Sequence, residues 1–348
     1  MKSYFFENTR NAHQRISELF DFVWPAAAAM WNLRSQVAEY LKNNPHADDR
    51  HLDEKFAHPA DVYGASLKSA WITKSWESVQ EELARVLLIN VVAIYEGWVR
   101  NVLMDMRLYE GNLAKSFGFT ETSNLESVGI ESALAIVTAE ESTPLKMYFY
   151  DKLRSHKMYA SKHLNAMMTF YRYFKELRNC EVHNSGLAST WLVEASSGLA
   201  QIKSAEALGV PVLPRYHQAV LGTRTKIELF GVTGLASIIL RTIVTLDAEL
   251  SRSAYAEGAF IKKWRYAHAR NVQLPNDARQ LIKTLRQLFM QADFPISEEA
   301  EQMQNLLLHF KLAHQQNIRK GHCRSNRFQT SFRTGRAAQR RNSSVEKY

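Results

Sequence analysis

The chain has 348 residues, of which 46% are hydrophobic, with 14 glycines, 8 prolines and a formal net charge of +9. This composition is sufficient for a core in one large or two smaller domains, which excludes a wholly disordered chain. Most segments place apolar residues at a 3.6-residue period without alternating strands, so the predicted fold class is all-α.

The opening residues, MKSYFFENTR, contain too few consecutive apolar residues for a secretory signal. The two most hydrophobic windows, VLLINVVAIYEGWV and GVTGLASIILRTIVTL, are shorter than about 18 uninterrupted apolar residues and predict core helices, so no membrane association is expected. Two cysteines, Cys180 and Cys323, cannot form a disulfide framework. A cytoplasmic location is therefore expected.

The N-terminal region, residues 1 to 64, predicts a helical extension followed by a polar loop. Residues 10 to 43 predict two short helices broken at Pro25, and the loop follows to about residue 64. The loop contains side chains of the types that bind metal ions, namely His46, Asp48, Asp49, His51, Asp53 and His58. Because they show no recognised ligand spacing, no metal site and no cofactor is expected.

The central region, residues 65 to 255, predicts a helical core. Residues 66 to 106 form a long helical pattern that is apolar on several faces, as in a helix buried within a bundle. Glu96 falls within this pattern, so its carboxylate needs a partner or a cavity unless it lies on a thin solvent-facing strip. A second clear helix spans residues 161 to 177, and Arg178 follows Phe174 by four positions, which directs its charge toward the interior.

The C-terminal region divides into a small helical module, residues 256 to 316, and a basic tail, residues 317 to 348. The module predicts a hairpin of helices, residues 277 to 292 and 297 to 315, with Asn276 and Ser297 as N-caps and Pro295 in the turn.

The tail accounts for most of the net charge. Residues 319 to 348 contain nine basic residues against Glu346 alone, a balance of +8 that leaves about +1 for the rest of the chain. The tail lacks periodicity and is expected to be disordered. It is either a solvated terminus or an arm for RNA phosphates, and the RNA-binding candidates are Arg324, Arg327, Arg333, Arg336, Arg340 and Arg341.

The stretch LRNCEVHNSG, residues 177 to 186, places an arginine five positions before a histidine. The spacing alone arises by chance, but a polar Asn179 follows the arginine and a helix containing Glu96 lies upstream. The stretch resembles the nuclease members of the HEPN superfamily, the higher-eukaryote and prokaryote nucleotide-binding domains, which have R-x(4-6)-H. The resemblance covers the motif and the helical region from about residue 66 to 255.

The resemblance implies a helical bundle that forms a homodimer and cuts RNA without a metal ion. It also implies that Arg178, Asn179 and His183 form the catalytic site, and that Glu96 corresponds to polar residues often found on an earlier helix. Positions five apart in a continuous helix point about 140° apart. Arg178 and His183 therefore converge only if the helix ends or bends between them, which Asn179 and the following polar residues favour, or if two motifs meet across a dimer axis.

The side-chain chemistry agrees with RNA cleavage. Histidine ionises near neutral pH, so His183 can accept the proton of a ribose 2′-OH or donate one to the leaving 5′-oxygen. Arg178 offers a fork of donors for a phosphate on which negative charge increases, and Asn179 can orient the phosphate or the histidine. DNA lacks the ribose 2′-OH that acts as the nucleophile, so it should not be cut.

The sequence therefore predicts a metal-independent endoribonuclease, and the family resemblance suggests a toxin or antiviral defence effector with an antitoxin or sensor as partner. Two alternatives stay open. One is a non-catalytic HEPN-like module that binds a nucleotide or a partner protein. The other is a helical scaffold, in which Arg178 caps a helix end and His183 is a loop residue.

Overall fold

A computed structural model describes residues 4–58, 66–109, 111–118 and 129–315. The described chain is mostly helical, as the periodicity predicts. The helices are α1 (Glu7–Asn43), α2 (Asp49–Leu52), α3 (Trp76–Asp105), α4 (Gly111–Ser116), α5 (Ile130–Val137), α6 (Thr143–Leu145), α7 (Asp151–Arg154), α8 (Leu164–His183), α9 (Thr190–Leu199), α10 (Leu229–Ser251), α11 (Ala256–Ala267), α12 (Ala278–Gln291) and α13 (Ala300–His309).

The central helices α3, α8 and α10 pack against one another, and α1 packs on α3. Their buried faces belong to one hydrophobic core that runs from Phe5 to Ala313 and includes apolar residues of α12 and α13. By length and composition alone, α3 and α10 could also cross a membrane, although more than half of each apolar window is buried in the protein.

The predicted break of the first helix at Pro25 is wrong, because α1 continues through this proline. A proline inside a helix removes one backbone hydrogen bond and costs about 3 kcal/mol. Apolar contacts on both sides offset this cost, since Val23 lies in the main core and Val37 lies in a second, smaller core. The alanines that follow Pro25 also favour a helix.

The predicted polar loop before residue 64 is corrected in its described part. Helix α2 is capped by the Asp48 side chain, which accepts from the His51 backbone N–H, and a π-helical turn, Asp53–Ala57, follows. Leu52 and Ala57 are buried with Val37 in the smaller core. These few buried apolar side chains therefore stabilise helical structure in this segment, although most of its residues are polar and predict an irregular loop. A further π-helical turn, Lys68–Thr73, precedes α3, and the Ser75 side chain caps α3.

The described residues contain one sheet, a parallel pair of short strands that the sequence did not predict. Strand β1 (Val272–Leu274) pairs with β2 (Ala313–Gln315), with Val272 opposite Ala313. Strand β1 lies before α12 and β2 lies after α13, so their pairing joins the two ends of the C-terminal helical hairpin. The N-caps predicted for that hairpin are also wrong: Asp277 caps α12, and α13 begins only after Glu299. Ser297 is buried and donates to the Gln302 side chain instead.

The N-terminal segment is fixed to α10 by a buried carboxylate. The Asp247 oxygens accept hydrogen bonds from the backbone N–H groups of Phe5, at 2.8 Å, and Phe6, at 3.0 Å. On the other side, the Lys263 ammonium donates to the Phe5 carbonyl at 3.0 Å. These contacts hold the chain that enters α1 against the core.

Candidate functional site

Glu96 and Arg178 form an ion pair between α3 and α8. The Arg178 guanidinium donates through Nη2 to Glu96 Oε2 at 2.7 Å. The Arg178 side chain is 18% exposed and the Glu96 side chain is 39% exposed, so the pair lies at the edge of the core and not inside it. Glu96 therefore has a charged partner and also partial contact with solvent, two outcomes that the sequence presented as alternatives. A charge-assisted bond of this kind holds the guanidinium in one orientation.

Lys175 is a third member of this cluster, and sequence reasoning missed it. Its ammonium lies 3.8 Å from Glu96 Oε1, and it precedes Arg178 by three positions on the same face of α8. Burial lowers the pKa of Lys175, against the opposing effect of the Glu96 carboxylate. The signal in the sequence was the three-residue spacing to Arg178, which puts two cations on one helix face toward the acidic residue.

A cavity of about 550 Å³ adjoins the cluster. Glu96, Gly97 and Arg100 from α3, Lys115 from α4 and Lys175 from α8 contribute to its lining. The charged side chains in the lining are three cations and one carboxylate, so the cavity has a surplus of positive charge. An anionic ligand is therefore favoured over a cationic or apolar one.

His183 lies apart from the ion pair. Helix α8 runs without interruption through His183, so the predicted end or bend between Arg178 and His183 is wrong. The helix ends just beyond, where Ser185 and Gly186 have positive φ and the Gly186 N–H donates to the Cys180 carbonyl at 3.0 Å. The two motif side chains are consequently about 140° apart around the helix.

Asn179 and His183 share a different face of α8, four positions apart. Asn179 is half-buried, and its amide donates to Glu176 Oε2 at 3.2 Å. The His183 side chain is exposed and has no hydrogen bond or ion pair to any other described residue. The structure therefore brings Glu96 to Arg178, places Asn179 beside them on the next face, and leaves His183 open to solvent.

The last turn of α8 is held rigidly in place. Glu181 is almost fully buried and accepts from Arg85 Nε of α3 at 2.5 Å. Glu181 also accepts a hydrogen bond from the Thr225 hydroxyl. The backbone N–H of Thr225 in turn donates to the Gly186 carbonyl at 2.9 Å. Because the backbone is anchored on both sides of His183, the imidazole can be presented to a second molecule with little conformational freedom.

Cys180 does not form a nucleophilic pair with His183. Its side chain is buried, and its thiol lies 3.5 Å from the Ser189 hydroxyl. Buried thiols of this kind act as small apolar groups.

Other sequence candidates lie away from this site. In the N-terminal segment, His51 Nδ1 and Asp48 Oδ1 are 2.7 Å apart on the surface. No group of three His, Cys, Asp or Glu side chains that could hold a metal ion is found within the part of the chain that the structure describes. The six tail arginines, Arg324, Arg327, Arg333, Arg336, Arg340 and Arg341, and Cys323 lie outside the described residues.

Comparisons with protein-family models, with curated proteins and with solved structures gave no match for this chain.

Proposed function

We propose that this protein is a metal-independent endoribonuclease of the HEPN type that acts as a homodimer in the cytoplasm. The observation that supports this best is the arrangement on α8. Arg178 is oriented by Glu96 beside a cationic cavity, and His183 is exposed at the anchored end of the same helix. One group is suited to bind a phosphate, and the other is available for proton transfer.

The reaction begins when the ribose 2′-oxygen attacks the adjacent phosphorus. The 2′-OH proton passes to a base, the bond from phosphorus to the 5′-oxygen breaks, and that oxygen receives a proton. The products are a 2′,3′-cyclic phosphate and a 5′-hydroxyl end. His183 acts in proton transfer, which contributes roughly 10² to 10⁴ in rate. Arg178 stabilises the charge that develops on the phosphate oxygens.

Arg178 retains the hydrogen-bonding capacity for this role. Only Nη2 bonds to Glu96, and neither Nε nor Nη1 has a hydrogen-bond partner among the residues described here. A guanidinium that is fixed at one nitrogen and open at the others can still bind two phosphate oxygens. Lys175 would add a second cation within reach of the same phosphate.

A second copy of the chain is required, because Arg178 and His183 of one chain diverge. An exposed apolar surface surrounds the motif and suits such a contact. Val86 and Ile89 lie on the solvent face of α3 that also bears Glu96, and Val182 lies one turn after Arg178 on α8. All three side chains are more than a third exposed. Pairing these surfaces around a twofold axis would bring His183 of one chain toward Arg178 of the other.

The biological setting follows from the family resemblance alone. HEPN ribonucleases serve widely as toxins and antiviral effectors, so we propose that role for this chain, with an antitoxin or sensor protein as regulator.

The test is an RNA cleavage assay in EDTA with wild-type protein, Arg178→Ala and His183→Ala. Cleavage with cyclic phosphate ends, lost in both variants, supports the proposal. Equal cleavage by either variant contradicts it. Nucleotide binding without cleavage would instead favour the non-catalytic binding module.

A further inference from the structure

The cavity beside Glu96 has the size and the lining of a binding site for one nucleotide. Cavities of about 300 to 1,000 Å³ are typical for small ligands, and this one measures about 550 Å³. It lies between α3, α4 and α8. Glu96 belongs to its wall, so the cavity directly adjoins the position proposed for the scissile phosphate.

The cations of the cavity exceed what its own carboxylate can neutralise. Glu96 is already paired with Arg178 at 2.7 Å, and Lys175 is 3.8 Å from it. Arg100 and Lys115 are exposed and form no ion pair with any other described residue. Two uncompensated cations, one on α3 and one on α4, together with Lys175 on α8, are suited to a phosphate group.

The cavity also offers an aromatic surface and an unobstructed wall. Tyr109 contributes to the lining and is 49% exposed, so its ring can stack on a base. Gly97 lines the cavity from α3, and a Cβ added there would meet no atom within 4 Å. The absence of a side chain at Gly97 therefore keeps the cavity open.

We propose that this cavity binds the RNA nucleotide next to the scissile bond, with Arg100 and Lys115 at its phosphate and Tyr109 against its base. This assignment rests on the proposed ribonuclease function for its RNA context. The recognition chemistry is that of a nucleoside monophosphate unit, which a free nucleotide shares.

The first experiment measures binding without cleavage. The full-length chain is titrated calorimetrically with AMP, CMP, GMP and UMP, as wild type, Gly97→Phe and Gly258→Phe. Gly97→Phe fills the cavity and should weaken binding at least tenfold. Gly258, in α11, also has open space around its Cβ position, so Gly258→Phe is a matched control and should bind as wild type does. Equal affinity in all three proteins, or no binding of any nucleotide to wild type, overturns the proposal.

The second experiment uses Tyr109→Ala, which removes the exposed ring proposed to stack on the base. Its nucleotide affinity should fall and its KM for RNA should rise several-fold with kcat retained. Unchanged affinity and unchanged KM would overturn this part of the assignment.

The third experiment separates an RNA subsite from a site for free nucleotides. Competitive inhibition of RNA cleavage by the tightest-binding monophosphate supports the subsite, whereas inhibition that lowers kcat alone overturns it. If wild type binds nucleotide but does not cut RNA, the proposed function fails and the nucleotide-binding cavity stands. If wild type cuts RNA and Gly97→Phe does so with unchanged KM, the cavity assignment fails and the proposed function stands.

Discussion

The Glu96 carboxylate accepts a 2.7 Å hydrogen bond from the Arg178 guanidinium across the contact between α3 and α8. In the proposed mechanism, this bond sets the orientation in which Arg178 binds a phosphate. We therefore expect Glu96→Gln to lower kcat for RNA cleavage about tenfold, since small errors in positioning cost one to two orders of magnitude. The dimer should stay intact, and stability should fall by about 1 kcal/mol or less because the pair is partly exposed.

Glu194→Gln is the matched control, since it weakens another partly exposed ion pair, with Arg172 at 3.4 Å, on α9. It should cleave RNA as wild type does. Wild-type turnover in Glu96→Gln would remove Glu96 from the site.

Arg178 and His183 should complement each other between subunits. Arg178→Ala and His183→Ala should each be inactive alone, whereas a mixed dimer of the proposed kind would have one site with both groups. After subunit exchange, equal amounts should regain about one quarter of wild-type activity, because half of the dimers are mixed and each has one complete site of two. The measurement is cleavage rate against mixing ratio. If the mixture stays inactive after exchange has been demonstrated, the site is not shared between chains.

The exposed apolar surface of α3 and α8 should be the dimer contact. Val182→Asp places a carboxylate in that contact, and a buried unpaired charge costs roughly 3 kcal/mol or more. Light scattering after size exclusion should then show a monomer without cleavage activity. Val212→Asp is the control, because Val212 is at least as exposed but lies in the irregular stretch before α10. A Val182→Asp dimer as stable as wild type would place the contact elsewhere.

Asp247 should make the fold less stable as pH rises from about 4 to about 6. Burial raises its pKa from 3.8 to about 6, against the opposing hydrogen bonds from Thr9, Phe5 and Phe6. The folded chain therefore binds this proton more tightly than the unfolded chain does. The resulting stability is fully present below the unfolded pKa, and roughly 3 kcal/mol of it is lost as pH passes the folded value.

Denaturant unfolding between pH 3.5 and 7 tests this expectation. Asp247→Asn cannot ionise and should show a flatter pH dependence over that range. Burial lowers the pKa of Lys263, on the opposite side of the N-terminal segment, to about 8, so Lys263 is still mostly charged at pH 7 and contributes little slope in this window. Parallel curves for wild type and Asp247→Asn would contradict the assignment.

Deletion of residues 319 to 348 should weaken RNA binding and reduce its dependence on salt. The segment contributes a charge of +8, and each phosphate contact adds about 0.7 to the logarithmic salt slope for single strands. Binding measured between 50 and 300 mM salt gives the slope directly. An unchanged slope would show that the tail is a solvated terminus.

The Arg-x4-His motif shows where local sequence was sufficient and where it was not. The spacing and the neighbouring Asn179 were visible without coordinates, and so was the need of Glu96 for a partner. The end of α8 was not, because it depends on the positive φ of Ser185 and Gly186 and on the anchoring of Glu181 by Arg85 and Thr225. These tertiary contacts stabilise the last turn of α8 more than Asn179 destabilises it, so the helix continues to His183.

Helical class and buried faces were readable from the sequence alone, because the 3.6-residue period of apolar side chains follows directly from helix geometry. Tertiary structure decided three features: the path of α1 through Pro25, the pairing of Glu96 with Arg178 and Lys175, and the cavity beside them. Each depends on how two helices distant in sequence align along their contact, and that alignment is an outcome of packing in the whole core and leaves no local pattern.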